Sequence, residues 1–291
     1  MHPAPSVIIF TVLSGAGFGL LFWLGLGAGP YHGLGGFLIW GMGYALAVVG
    51  LLASTFHLGN PQRALRAFTQ WRTSWLSREA WASVGALLLL GPVALAAVLG
   101  GVLPSIFGMT GAAAALLTVV ATSMIYAQLR TVPRWNHWST PVLFVIFALA
   151  GGGIIAGVQL PAAVLTLALG PLLIWAFRHG DGRFAKAGAT LGSATGLGTL
   201  GGVRELAPAH TGSNYLVREM IHVVGRKHAD RLRVIAVVFA SLLPAALLFF
   251  VPPLPLVLGG AFVLHLIGAF TARWLFFAEA EHVVGLYYDM R

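Results

Sequence analysis

Apolar residues run through this chain in eight long stretches, at 6–29, 33–58, 77–103, 108–129, 140–158, 160–177, 234–251 and 255–277, with polar residues gathered at the joints. Each stretch approaches the roughly 20 residues that a helix needs to cross a hydrocarbon core about 30 Å thick. The pattern predicts an all-α polytopic membrane protein: one integral-membrane domain of eight transmembrane helices over residues 1–291. Stretches five and six are the shortest, and are expected to be tilted or partly irregular. The first stretch lacks a basic leader and is too long for a signal-peptide core, so it reads as a retained span.

The joints are of two alternating kinds. Those at 30–32, 104–107, 159 and 252–254 hold no Lys, Arg, Asp or Glu. The others carry all the lysines and arginines except Arg273, near the end of the last stretch, and Arg291 in the tail. Positive charge in short loops stays in the cytoplasm, which places both termini and the 178–233 connection inside. A composition that is 58% hydrophobic and 9% charged excludes a soluble domain. The net charge of +9 follows from this topology and from attraction to anionic headgroups, so no nucleic-acid partner is expected. There is no cysteine, hence no thiolate for an iron–sulfur cluster or a Cys-type zinc site. No metal site is expected in this chain, and metal centres for electron transfer would belong to a partner.

Glycine pairs such as Gly15/Gly19 and Gly25/Gly29 suit close helix packing. Residues 196–201 spell G-x-G-x-x-G, but no strand precedes them, so they read as linker. Farther along the 178–233 connection, Leu216, Val217, Met220, Ile221 and Val224 recur at helical spacing. They predict an amphipathic helix over about 213–226, lying in the interface plane or serving as a docking ledge.

Ionisable groups gather near the basic ends of the stretches. His57 precedes Gly59-Asn60-Pro61, with Arg63 and Arg66 following; Ser77 is a candidate cap, with Glu79 in the first turn, where a carboxylate suits the helix dipole; Tyr126 and Arg130 end the fourth stretch; Arg273 sits about one turn inside the end of the eighth. A buried ionisable group in a membrane protein is a functional candidate. Each has an ordinary reading beside it. Glu79 can cap a helix or pair with a loop arginine, Arg273 can snorkel to phosphates, and His57 can be a packing residue. Trp71, Trp75, Trp81, Trp135 and Trp138 suit an interfacial aromatic belt.

Together, FHLGNPQRALRAF (56–68), SWLSREAW (74–81), YAQLRTVP with STP (126–141) and ARWLFF (272–277) resemble the DMSO reductase membrane-anchor subunit family. The resemblance runs through most of the chain. It implies an anchor in the bacterial inner membrane for a molybdopterin catalytic subunit and a ferredoxin-like iron–sulfur subunit, exchanging electrons with quinone (ubiquinone or menaquinone) and carrying no haem. In the family's pattern the histidine of the H-L-G segment and the acidic residue opening the next helix belong to the quinone site; here these are His57 and Glu79. Two departures stand out: a longer 178–233 connection, and motif loops that bear the positive charge and so face inward. That orientation resembles the anchor of cytoplasmic quinone-linked sulfite dehydrogenases, with a quinol-oxidising anchor of a DMSO or other S- or N-oxide reductase as the alternative.

Physical chemistry points the same way. A quinone needs hydrogen-bond donors at its oxygens, a titratable group open to water and an apolar channel for its tail. His57 titrates near neutrality, Glu79 can pass protons, and Arg63 or Arg273 can steady developing negative charge. The expected site is therefore His57 and Glu79 as reacting groups, with Arg63, Tyr126 and Arg273 around the headgroup. Trp135, Asn136 and His137 are the fallback location. The partner's iron–sulfur subunit is expected over loops 59–78, 130–139 and 178–233. Paired haem ligands are disfavoured, because His57 and His265 lie at depths some 15 Å apart at ~1.5 Å per residue. A transporter would need a polar midplane, and a purely structural anchor is the remaining rival.

Overall fold

The computed structural model describes residues 1–29, 31–57, 60–207, 214–221 and 228–288, the side chains of His57 and Pro61 excepted. Every predicted stretch is helical. The long elements are α1 (Pro5–Gly25), α2 (Gly33–Ala53), α3 (Trp75–Leu99), α4 (Ser105–Ala127), α5 (Ser139–Ile155) and α6 (Gln159–Asp181). Short helices α7 (Arg183–Lys186), α8 (Leu191–Thr195) and α9 (Tyr215–Met220) follow. The chain then enters α10 (Ala229–Val237), a π-helical turn at Val238–Leu242, α11 (Leu243–Phe250) and α12 (Pro255–Ala278). No strand occurs among the described residues. Seven helices are long and apolar enough to cross a membrane, with α10, the π turn and α11 counting as one.

The eighth, α5, has 17 residues, about 26 Å at ~1.5 Å per residue, and is ringed by α1, α4, α6 and α12. The expectation of a short sixth stretch is corrected. Helix α6 runs to Asp181, because Arg178 and His179 continue it on the polar side.

Helix α1 is the hub, packed against α2, α4, α5 and α12. Glycine allows this. A Cβ on Gly19 would meet the backbone of Ala148, and one on Gly152 would meet the backbone at Gly19 and Leu20, so α1 and α5 touch main chain to main chain. The proposed Gly25/Gly29 pair does not act as one: Gly25 abuts Gly108, whereas Gly29 lies beyond α1 at φ +71°.

The π turn has a sequence cause. Pro244 has no N–H, so it cannot donate to the carbonyl of Ala240 four residues back. That freed carbonyl lies 2.9 Å from Nδ1 of His265 on α12, whose Nε2 faces the Phe147 carbonyl of α5 at 3.4 Å. His265, only 2% exposed, packs where three helices meet, and since a neutral imidazole has one N–H the shorter contact, to Ala240, is the tie between α12 and the π turn. We expect His265→Leu to lower stability by about 1–3 kcal/mol through the unpaired buried carbonyl; thermal unfolding in detergent measures it, and an unchanged midpoint would refute the tie.

Both chain ends and the long connection meet at one end of the bundle. Met1 N donates to the Ala280 carbonyl (2.7 Å), His2 N to Glu219 (2.7 Å), and Val283 N to Thr131 (3.0 Å). Tyr287 donates to the Ala194 carbonyl at 2.8 Å, and the Asn214 side chain donates to the Tyr288 hydroxyl at 3.0 Å. Of the amphipathic helix expected at 213–226, the described part is shorter. It is α9, capped by the Asn214 side chain and ended by extended Ile221; Ser213 and residues 222–226 lie outside the described residues.

Candidate functional site

The start of α3 decides where Glu79 points. Helix α3 opens after extended Ser74, so Ser77 is not the cap; its hydroxyl lies inside the first turns and accepts from Gln70 N at 3.3 Å. The 3₁₀ segment Pro61–Phe68 braces this turn from outside, with Trp81 Nε1 donating to the Phe68 carbonyl at 3.0 Å. Arg78 turns outward onto the carbonyls of Trp71 (3.1 Å) and Arg72 (2.8 Å) and lies over the Trp75 ring. With its neighbour held outside, Glu79 projects inward and is buried. It does not cap the helix, and among the described residues it pairs with no loop arginine: its carboxyl meets the hydroxyl of Thr122 on α4. A hydroxyl both donates and accepts, so Thr122 suits the ionised and the protonated carboxyl alike.

Arg273 of α12 faces the same region from the opposite side. It is 7% exposed, so it does not snorkel. Its guanidinium carbon lies 3.5 Å from the centroid of the Phe144 ring and 5.2 Å from that of Phe276, and its Nε has no hydrogen-bond partner among the described residues. Tyr126 of α4 packs on Phe144 and Phe276, the two rings that Arg273 lies over, and feels the charges of both Arg273 and Glu79. Its ring is nested against Trp135, Phe144, Phe276 and Phe277 at centroid distances of 5.4–5.8 Å.

Trp135 is a correction to the aromatic belt. It is 2% exposed, stacked on Phe276, and donates from Nε1 to the Phe276 carbonyl at 2.8 Å. Trp71, Trp81 and Trp138 are exposed, as a belt requires.

Two other expected site residues stand apart. Arg63 is exposed on the 61–68 segment, outside this buried group. The backbone of His57 ends the 3₁₀ turn Ser54–His57 that prolongs α2, but its side chain lies outside the described residues.

Two small cavities share Arg273 in their walls. One, of about 20 Å³, also reaches Thr122, Ser14 and His265. The other, of about 60 Å³, extends past Ser139 and Thr140 to Arg134 and Glu279. Sequence reasoning missed this second region. Glu279 is buried between Arg134 and Arg233, with Arg233 Nε donating to it at 2.6 Å. Asp181 bridges the same arginines, at 3.1 Å from Arg134 and 2.9 Å from Arg233 Nη1. The signal was available: Asp181 and Glu279 are the acidic residues at the ends of spans six and eight, and a carboxylate there calls for a partner.

The fallback residues also fall at this end. Asn136 donates to the Ala127 carbonyl (2.6 Å), and its own carbonyl accepts from Arg183 (2.8 Å). His137 contacts Ser139 Oγ at 2.9 Å and packs on His179. Partial burial, then Arg183 and His179, hold its imidazole below the usual histidine range. Among the described residues no group of three or more His, Asp or Glu is placed to hold a metal.

The arrangement pairs a buried carboxyl with a buried cation, a phenol and small cavities, inside an aromatic shell. It suits an apolar ring bearing oxygen acceptors. The Arg273 Nε–H, without a partner among the described residues, is the feature that a quinone oxygen would fit.

Comparison with known proteins places the chain among relatives. The family model described as "DMSO reductase anchor subunit (DmsC)" matches residues 1–177, which span α1 to most of α6. A sulfite dehydrogenase subunit of Allochromatium vinosum is 33% identical, over 99% of this chain and 99% of that protein. The anaerobic dimethyl sulfoxide reductase chain YnfH of Escherichia coli K12 is 31% identical, over 58% of this chain and 61% of that protein. No solved structure matches.

Proposed function

The chain belongs to the DMSO reductase anchor subunit family, and from that premise we propose that it is the quinone-reacting membrane subunit of a cytoplasmic sulfite dehydrogenase. The observation that carries the substrate is the match to the Allochromatium vinosum sulfite dehydrogenase protein along nearly the full length of both chains. That match takes in the 178–233 connection, whereas the similarity to the DMSO reductase chain covers little more than half of this one.

In this reading the protein makes eight crossings, α5 included, with both termini inside. A ferredoxin-like iron–sulfur subunit docks on the basic loops, and a molybdopterin subunit beyond it oxidises sulfite. The location is the bacterial inner membrane.

Quinone, when bound, accepts two electrons and two protons. The chain's residues do the rest. Tyr126 and Arg273 offer donors to ring oxygens, and Arg273 opposes negative charge that develops there inside a poorly polarisable shell. The side chains of Phe144 and Phe276 hold that guanidinium in place. Glu79 gives up a proton and recovers one, with Thr122 adapting to either state. His57, at the end of the second span, supplies a further near-neutral donor.

The test is sulfite-dependent reduction of a soluble quinone analogue by the intact complex. A complex that instead couples quinol oxidation to DMSO reduction, and ignores sulfite, would overturn this direction in favour of the reductase reading that the YnfH similarity supports. A reporter fused after residue 288 and active only in the periplasm would overturn the orientation.

A further inference from the structure

Four of the chain's eight acidic residues, Asp181, Asp230, Glu279 and Glu281, line one surface depression of about 320 Å³. It lies at the end of the bundle where lysine and arginine otherwise dominate. Its inner wall is the Arg134–Glu279 pair, and those same side chains bound the 60 Å³ cavity behind it. That cavity continues past Ser139 and Thr140 to Arg273. Phe144, Phe147 and Arg273 line both this cavity and the smaller one. On the smaller cavity's wall stands Thr122, whose hydroxyl meets Glu79.

On the wall that the two cavities share, the buried Nε of Arg273 has no protein partner among the described residues. A buried N–H of this kind is completed by water, and these volumes hold about one water and a few waters respectively.

We propose that this series is the route by which protons reach Glu79: acidic depression, Arg134–Glu279 wall, two hydrated cavities that share Arg273 in their walls, then Thr122. The inference rests on the reading of the Glu79 region as a quinone site. Converting a quinone to a quinol takes two electrons, supplied by the iron–sulfur partner, and two protons, one to each ring oxygen. Glu79 donates a proton and is reprotonated along the route, and the second proton follows.

The four carboxylates outnumber the two arginines, Arg134 and Arg233, that line the depression with them, so it draws protons toward a surface whose net positive charge would otherwise repel them. The fixed charge of Arg273 opposes an excess proton beside it until electrons bring negative charge to the site. Uptake therefore waits for the electrons, which keeps the two in step.

The test uses the complete complex in lipid nanodiscs without quinone. Infrared spectroscopy follows hydrogen–deuterium exchange at the Glu79 carboxyl, at a pH where it is protonated, and the band is identified by its loss in Glu79→Gln. Ala176→Leu fills the larger cavity, which Ala176 lines, with apolar atoms and no change of charge. It should slow exchange about tenfold, as the loss of one hydrogen-bonded link would. Glu279→Gln, which keeps the shape of the wall but gives up its charge and one of the two bonds accepted from Arg134 and Arg233, should slow it in the same direction.

Parental exchange in both variants would overturn the route, whatever the turnover. The site reading fails separately, if Glu79→Gln leaves quinone turnover and its pH dependence unchanged.

Discussion

Arg273→Met should lower quinone turnover about tenfold to a hundredfold while leaving the fold in place. The figure comes from losing a charged hydrogen-bond partner, ~1.5–3 kcal/mol, at about tenfold per 1.36 kcal/mol. Methionine keeps an unbranched apolar stem against Phe144 and Phe276, so the packing that holds the guanidinium survives its removal. Burying a lone cation is costly, so the variant should be no less stable than the parent, and thermal unfolding should show this. That combination of a slower and equally stable protein is diagnostic. A structural arginine would give the reverse, with stability lost and turnover kept per folded molecule. Arg273→Lys restores charge without the planar face that lies on Phe144 and should recover only part of the rate. Turnover of Arg273→Met at the parental rate would remove Arg273 from the site.

Much of this molecule is legible in its sequence, for one physical reason. Hydrocarbon admits few backbone solutions, so runs such as 77–103 and 108–129 had to become helices close to α3 and α4. The misreadings are local and share a cause: hydropathy says how deep a residue lies, not which neighbour it faces. Trp135 has the composition of a belt residue, yet Thr140 and Phe276 draw its loop inward. Arg63 sits in the most distinctive motif, yet that motif's segment braces α3 from outside. Glu79 and Arg273 were found because a buried charge is conspicuous in an apolar run. Asp181 and Glu279 were passed over because they sit just past such runs, where charge looks ordinary. The link between Pro244 and His265 is a tertiary fact: the proline frees a carbonyl, and only the fold brings a histidine 25 residues away to meet it.

His57→Leu should slow quinone turnover at least about tenfold, by the same conversion of a lost charged hydrogen bond into rate, while substrate-driven reduction of the partner's clusters proceeds as before. The argument starts from position. His57 closes the turn that prolongs α2 at the basic end, and the turn packs against α1 and the 61–68 segment that braces Glu79's helix. An imidazole there belongs to the one side-chain type whose ordinary titration lies near neutral pH. It can donate to a ring oxygen in one state and accept from it in another. Leucine matches its size and depth but can do neither. Glu79→Gln separates the two roles: it keeps a donor and loses the exchangeable proton, so turnover at the optimum should fall less while its pH dependence shifts. The clusters report on the molybdenum side alone, because no residue of this chain touches sulfite in the proposed assembly. Stopped-flow cluster reduction together with steady-state quinone reduction resolves the cases. Slow quinone with fast clusters supports the assignment, and slow clusters would mean that His57 serves docking instead. If both variants assemble and turn over quinone at the parental rate, the headgroup lies elsewhere, and the region around Trp135, Asn136 and His137 becomes the place to look.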